Sequence, residues 1–216
     1  MLIGIPVYEG FDLLDVCGPW EMLSWAKYKV PDLALQLVAE LPGLVTSNSG
    51  VAIEVKTGFA GAGKFDVLWT PGGAPDALSR LMNDKRRTYL DFLVRQAEGA
   101  RYVCSVCEGA LLLAAAGLLN GYTATTHWAF VPCFLQQFPK VAMADGFPRF
   151  HLDRNRLTGG GISSGLDETL ELIRLLFGQE VAESVQQTTQ YYPNPPVSSQ
   201  IPQTITCPLP PPPAGA

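Results

Sequence analysis

The chain has 216 residues, of which 47% are hydrophobic and 16% are charged, and its formal net charge is -5. This composition predicts a globular protein with one sizeable core or two small ones. The acidic balance, without any cluster of lysine or arginine, argues against nucleic acid and anionic membranes as partners. We recognise no signal peptide at the start, and the longest apolar run is too short to span a bilayer.

Strands and helices alternate along the predicted chain. Apolar runs predict strands over 2–7, 35–39, 51–55, 67–70 and 102–106, with two further short strands in 149–158 around a turn at 153–155. Helical spacing predicts helices over 13–26 with Asp12 as N-cap, and over 88–98, 110–119, 128–138, 166–177 and 180–188. Strands that are apolar throughout, alternating with helices, indicate an α/β sandwich with a mostly parallel sheet.

The composition changes near the C-terminus. Residues 191–216 are rich in Pro, Ser, Gln and Thr, and four consecutive prolines occur near the end. We therefore divide the chain into an α/β domain over 1–190 and a proline-rich tail over 191–216 without regular structure.

The cysteines are few and scattered. There are five, at positions 17, 104, 107, 133 and 207. An odd number without regular spacing does not form a disulfide framework, so we predict a reducing, cytoplasmic location. We expect Cys104 and Cys133 in the core. A redox pair of Cys104 with Cys107 is rejected, because three residues of strand separate the two side chains too far.

Cys107 lies between a predicted strand and a predicted helix, and Glu-Gly follows it. This order is typical of a nucleophile elbow, a sharp turn that presents its side chain at the carboxyl edge of a sheet. The free N–H groups and positive dipole end of the helix behind it favour thiolate over thiol. The alternative is a plain buried cysteine, which is common in protein cores.

Two glycine-rich turns are expected at the same edge of the sheet. One is 71–73 with Gly72 and Gly73, and the other is 159–162 with Gly161 and Ile162. Glycine turns around a nucleophile can supply the N–H groups of an oxyanion-type pocket, although each could also be an ordinary tight turn. The triple glycine is not a phosphate loop, since no Lys-Ser/Thr follows it.

A nucleophilic thiol also needs an acid or base beside it. Asp15 is the first candidate, because a carboxyl in an apolar helix start has a raised pKa and can donate a proton. A water-facing helix-start carboxylate is the alternative. His127 is the second candidate for the pocket, and a structural histidine is its alternative. No set of His, Cys, Asp or Glu has metal-ligand spacing, and no cofactor is predicted.

Four separated segments together resemble a known family. They are 105–109 (SVCEG), 114–119 (AAAGLL), 124–128 (ATTHW) and 157–162 (LTGGGI). In this order they resemble the ThiJ/PfpI superfamily, which has the class I glutamine amidotransferase-like fold. Within it, the combination is similar to the branch that contains isocyanide (isonitrile) hydratase. The resemblance covers about residues 1–190.

The resemblance implies a flavodoxin-like sandwich, a homodimer, and a small-molecule substrate. It implies Cys107 as nucleophile and Asp15 as acid, with backbone N–H groups near Gly73, Glu108 and Ile162 facing the reacting atoms. The implied reaction is hydration of an isocyanide to an N-substituted formamide.

One residue departs from the family pattern. The hydratase has threonine directly after its cysteine, whereas this chain has Glu108. A second carboxylate would repel Asp15 if both were ionised, so one of them should be protonated. The alternatives to the hydratase are another thiol enzyme of the superfamily, amidase- or glyoxalase-like, and a non-enzymatic ligand or redox sensor.

Overall fold

In the computed structural model, which describes residues 1–211, strands and helices extend from the N-terminus to residue 188. The strands are β1 (Leu2–Pro6), β2 (Ala34–Ala39), β3 (Gly43–Thr46), β4 (Ala52–Val55), β5 (Thr57–Gly58), β6 (Val67–Thr70), β7 (Tyr102–Ser105), β8 (Thr123–Ala124), β9 (Ala142–Met143), β10 (Phe150–Asp153) and β11 (Arg156–Gly159). The helices are α1 (Leu13–Ala26), α2 (Pro75–Met82), α3 (Thr88–Ala97), α4 (Gly109–Ala115), α5 (Val131–Gln137), α6 (Ser164–Phe177) and α7 (Gln179–Thr188).

Seven strands form the central sheet, in the order β10-β11-β7-β6-β1-β2-β5. All neighbouring pairs are parallel except β10 with β11, which is antiparallel. The predicted α/β fold with a mostly parallel sheet is therefore confirmed. Every residue of β6 is buried, as a central strand covered on both faces requires.

The helices cover both faces of this sheet. From the central pair β1 and β6, the chain runs through α1 to β2 on one side and through α2 and α3 to β7 on the other. Right-handed crossovers in opposite directions place α1 and α3 on opposite faces. Helices α6 and α7 pack with α1, and α4 packs with α2 and α3. The carboxyl ends of β1, β6, β7 and β11 thus meet at one edge.

The predicted elements differ from the structure at a few places with identifiable causes. Helix α4 ends at Ala115 rather than 119, because Gly117 takes a left-handed conformation with φ +78°. The predicted helix 128–138 divides into a 3-10 turn (Trp128–Phe130) and α5, which starts beside Pro132. Asp12 does occupy the N-cap position of α1, but its side chain makes no capping hydrogen bond. Strands β3, β5, β8 and β9 and helix α2 were not predicted.

The cysteine prediction is wrong in one respect. Cys133, which is buried as expected, forms a disulfide with Cys207 of the tail. Sequence spacing could not reveal this pair, because 74 residues separate the two cysteines. The cytoplasmic location stays a prediction, and the argument from unpaired cysteines no longer supports it. Residues 191–211 contain no helix or strand. Within residues 1–211, no helix is long and apolar enough to cross a membrane.

Candidate active site

Cys107 lies in a sharp turn between β7 and α4. Its φ of +54° is in the left-handed region, which non-glycine residues rarely occupy, so the turn is strained as expected for a nucleophile elbow. The turn is held on both sides of the residue. The Cys107 N–H donates to the Gly160 carbonyl (2.9 Å), and the Thr126 hydroxyl donates to the Cys107 carbonyl (2.8 Å).

The turn after β6 positions the carboxyl group of Asp15. The Gly72 N–H donates to Asp15 Oδ2 at 2.8 Å, so this N–H positions the carboxyl instead of standing free for a substrate. Gly72 also has to be glycine, because a Cβ there would lie 2.4 Å from Glu108 Oε2 and 2.9 Å from the Cys107 Cβ. The N–H of the next residue, Gly73, faces the Glu108 carboxyl and lowers its pKa.

The turn after β11 also approaches the sulfur. The Ile162 N–H donates towards the Cys107 sulfur, which lowers the pKa of the thiol. Gly161 packs against the imidazole of His127, and a Cβ on Gly161 would lie 2.5 Å from His127 Cδ2. The structure therefore brings all the predicted site residues to one edge of the sheet.

Three carboxyl groups surround the thiol. One ligand atom from each of Asp12, Asp15, Cys107 and Glu108 lies within 4.8 Å of the other three. Asp15, Glu108 and Cys107 are buried, and Asp12 is half-buried. The sequence showed no metal-ligand spacing, but the fold gathers a donor set close enough to share either one metal ion or protons.

The carboxyl groups of this cluster retain protons more strongly than usual. Burial raises the pKa of Glu108 from an ordinary value of 4.5 to about 7, although the hydrogen bond with Cys107 opposes the rise. Burial also raises the pKa of Asp15 well above its ordinary value, and the charges of Glu108 and Asp12 raise it further. Asp15 Oδ1 is buried without a hydrogen-bond partner among residues 1–211, as suits a proton donor awaiting an acceptor.

The prediction of an exposed, acidic thiol is wrong. The Cys107 side chain has no solvent exposure. Burial raises the pKa of the Cys107 thiol well above its ordinary value, and the charges of Asp15 and Glu108 raise it further. The helix N-terminus favours a thiolate, but desolvation and two adjacent carboxylates outweigh it. A thiolate can form here only if its proton passes to a neighbour.

A cavity of about 370 Å³ opens beside the elbow and is lined in part by Thr126, His127, Gly160 and Ile162. His127 Nδ1 accepts from the Ala129 N–H at 3.2 Å, and burial lowers the pKa of the imidazole. The neutral ring therefore carries its proton on Nε2. His127 can offer this N–H to a molecule in the cavity.

Comparisons with known proteins agree with this architecture. The model of the DJ-1/PfpI family matches residues 1–174. The isonitrile hydratase of Pseudomonas putida is 39% identical over 202 residues, which are 94% of this chain and 83% of the hydratase. The chain belongs to the DJ-1/PfpI family. A crystal structure of a ThiJ/PfpI family protein from Pseudomonas syringae is 34% identical and superposes with a TM-score of 0.81, covering 91% of this chain and 77% of that one.

Some relatives of this DJ-1/PfpI protein are regulators. The HTH-type transcriptional regulator GbdR of Pseudomonas aeruginosa is 31% identical over 191 residues, which are 88% of this chain. This chain spans half of the length of that regulator. Drosophila melanogaster DJ-1beta, at 19% identity and a TM-score of 0.74, shares the fold, with 88% of this chain and 98% of that chain covered.

Sequence reasoning missed two carboxyl groups of this DJ-1/PfpI site. Asp12 was predicted only as a helix cap, although three residues of helical spacing place it on the same face as Asp15. Its Oδ1 accepts from Asn48 Nδ2 at 3.2 Å. Glu168 of α6 is fully buried behind the elbow, where burial and the charge of Asp15 raise the pKa of its carboxyl. Its place on the buried face with Gly165 and Leu172 was the available signal.

Proposed function

We propose that the chain hydrates isocyanides to N-substituted formamides through a covalent bond to Cys107. The observation that carries the proposal is a thiol within 4.8 Å of two buried carboxyl groups, Asp15 and Glu108, with raised pKa values. Such a cluster can accept the proton of the thiol on one group and deliver a proton from another. The 39% identity with an isonitrile hydratase supports this reaction over others that a thiol can perform.

The first step makes the nucleophile and uses it. Glu108 takes the proton of Cys107, since its pKa of about 7 leaves much of it ionised at neutral pH. The thiolate, held by the Ile162 N–H, attacks the terminal carbon of the isocyanide and forms a carbon–sulfur bond. Asp15 gives its proton to the same carbon. The product of this step is a thioimidate on Cys107.

The second step releases the product. Asp15, now a carboxylate held by the Gly72 N–H, takes a proton from water, and the hydroxide adds to the thioimidate carbon. The carbon–sulfur bond then breaks, and the nitrogen receives the proton that Glu108 held. The proton of the added hydroxyl passes to the departing sulfur, so an N-substituted formamide leaves and the Cys107 thiol, the Asp15 acid and the Glu108 carboxylate are all restored. Isocyanide and water are the only molecules consumed.

Kinetics against pH test the role of Glu108. In wild-type protein, kcat/KM for an alkyl isocyanide should rise with pH, with a midpoint near 7. Glu108→Gln cannot take the thiol proton. Its kcat/KM should therefore fall about 100-fold, and the rise of kcat/KM near pH 7 should disappear. Exposed Glu54 provides the control, Glu54→Gln, which should follow the wild-type profile. If the protein turns over none of a panel of alkyl and aryl isocyanides, the proposed hydratase function is contradicted.

A ligand-sensing function is the second candidate, and the match to GbdR over 88% of the chain favours it. A sensor would bind a small molecule in the cavity beside His127 without turnover. Titration calorimetry with the compounds of the isocyanide panel, followed by product analysis, separates the two functions. Binding without formamide would favour the sensor. The homodimer also stays a prediction, which sedimentation at micromolar concentration tests.

A further inference from the structure

The tail, residues 191–211, runs along the body of the protein although it has no helix or strand. At its start, the Tyr191 hydroxyl donates to Asp167 Oδ2 at 3.1 Å. Towards its end, Cys207 is bonded to Cys133 of α5. The tail is therefore fixed at two points, with a span of fifteen residues between them (192–206).

This span passes over the cavity beside the elbow. Ile201 forms part of the cavity wall, together with Leu14, His127 and Ile162. Two other residues of the same wall hold Cys107: Thr126 bonds its carbonyl and Gly160 bonds its N–H. Cys107 has no solvent exposure and does not itself line the cavity, but Ile162, whose N–H faces its sulfur, does. A molecule in the cavity therefore lies next to the elbow, and Ile201 limits the space open to that molecule.

The span is held over the cavity by few contacts. Residues 192–203 are all exposed. Among the hydrogen bonds of residues 1–211, none joins the segment 193–206 to the body of the protein. Beyond the span, Cys207 and Leu209 pack against the core. A segment without hydrogen bonds opens at little cost, so the covalent anchor decides how closely it stays.

We propose that Ile201 is a specificity-determining residue of the cavity and that the Cys133–Cys207 disulfide holds it in place as a redox-sensitive anchor. With the disulfide intact, Ile201 narrows the approach to Cys107. A dithiol reduces the anchor: the sulfur–sulfur bond breaks, the two sulfurs take two electrons and two protons, and the dithiol becomes a disulfide. The freed tail then leaves the cavity wider.

Alkylation of Cys107 tests the anchor without reference to any enzymatic activity. Wild-type protein, wild-type protein reduced with dithiothreitol and desalted, and Cys207→Ser are each treated with N-ethylmaleimide. The rate at Cys107 is followed by peptide mass spectrometry, which separates it from exposed Cys17. Reduced protein and Cys207→Ser should both react about fivefold faster than oxidised protein. Prior reduction should not accelerate Cys207→Ser further. Equal rates in all samples would overturn the anchor.

Two matched substitutions test Ile201 itself. Ile201→Ala removes the side chain in the cavity wall, and Ile205→Ala removes the same side chain where it is 90% exposed in the same tail. In oxidised protein, Ile201→Ala should raise the rate of Cys107 alkylation and Ile205→Ala should not. Equal behaviour of the two variants would overturn the assignment. Circular dichroism confirms that each variant retains the wild-type fold.

A test of substrate selectivity rests on the proposed hydratase function. For Ile201→Ala, the ratio of kcat/KM for cyclohexyl over methyl isocyanide should rise about tenfold, since a few buried carbons change selectivity by this order. Ile205→Ala should keep the wild-type ratio, and an unchanged ratio in Ile201→Ala would contradict the specificity role. If no protein turns over either isocyanide, the hydratase proposal fails and the alkylation rates still decide the role of the tail.

Discussion

Cys104 and Cys107 lie three residues apart, and both are completely buried. Burial raises the pKa of both thiols well above the ordinary value. Cys104 lies in regular strand β7, opposite Leu157 of β11. Cys107 follows the strand in a left-handed turn, within 4.8 Å of three carboxyl groups. Exposure therefore does not distinguish the proposed nucleophile from a core cysteine here. The two cysteines differ instead in the backbone turn at Cys107 and in the proton acceptors around its sulfur.

The largest expected effect separates these two cysteines directly. Cys107→Ala should reduce isocyanide hydration to background, because Cys107 supplies the thiol of the carboxyl cluster that forms the covalent carbon–sulfur bond. Cys104→Ala removes one buried sulfur and should cost about 1 kcal/mol of unfolding free energy while activity remains. Formamide production and urea unfolding of the two variants provide the measurement. Comparable loss of activity in both would remove the distinction between them.

The next effect concerns the acid beside Cys107. Asp15→Asn keeps the shape and can still accept from the Gly72 N–H, but an amide has no proton to give. Turnover should fall by about 100- to 10,000-fold with the fold intact. Steady-state kinetics, with melting temperature as the check on folding, measures this loss. Wild-type turnover in Asp15→Asn would assign the proton to another group of the cluster.

A third effect is visible in stability rather than in rate. The pKa of Glu108 is about 7 in the folded protein, above its ordinary 4.5, so the folded state binds the proton more tightly. This stabilisation is full below pH 4.5 and is lost as the pH rises through 7. Between pH 5 and 8, wild-type protein should lose about 2.5 kcal/mol of unfolding free energy that Glu108→Gln does not lose.

Urea unfolding at a series of pH values measures this difference. Glu54→Gln, at an exposed position of β4, serves as the control and should follow the wild-type curve. If Glu108→Gln and wild-type protein lose stability in parallel, Glu108 does not titrate near neutrality in the folded state.

The smallest effect tests how the elbow turn is held. Thr126→Val removes the hydroxyl that donates to the Cys107 carbonyl and should cost about 1 to 3 kcal/mol of unfolding free energy. Thr126→Ser keeps a hydroxyl and should restore most of that stability. Equal stability of the valine and serine variants would show that this hydrogen bond contributes nothing to the turn.

The sequence determined the elements that repeat a simple pattern. Helix α1 and strand β6 have the predicted limits, because helical spacing and a continuous apolar run are local properties of the chain. The order of a strand, a cysteine and a helix located the elbow. Asp15 and the glycine turns after β6 and β11 could be assigned to the site, because parallel strands bring their carboxyl ends to one edge.

Only the tertiary structure decided what lies around Cys107. Asp12 joins the cluster and Glu168 lies behind the elbow, so the local field is set by groups from α1 and α6 that are far apart in sequence. Burial, which depends on the whole fold, gives a thiol with a raised pKa instead of the acidic thiol that a helix N-terminus alone favours. The Cys133–Cys207 bond likewise depends on where the tail crosses the body, and residue spacing holds no information about that path.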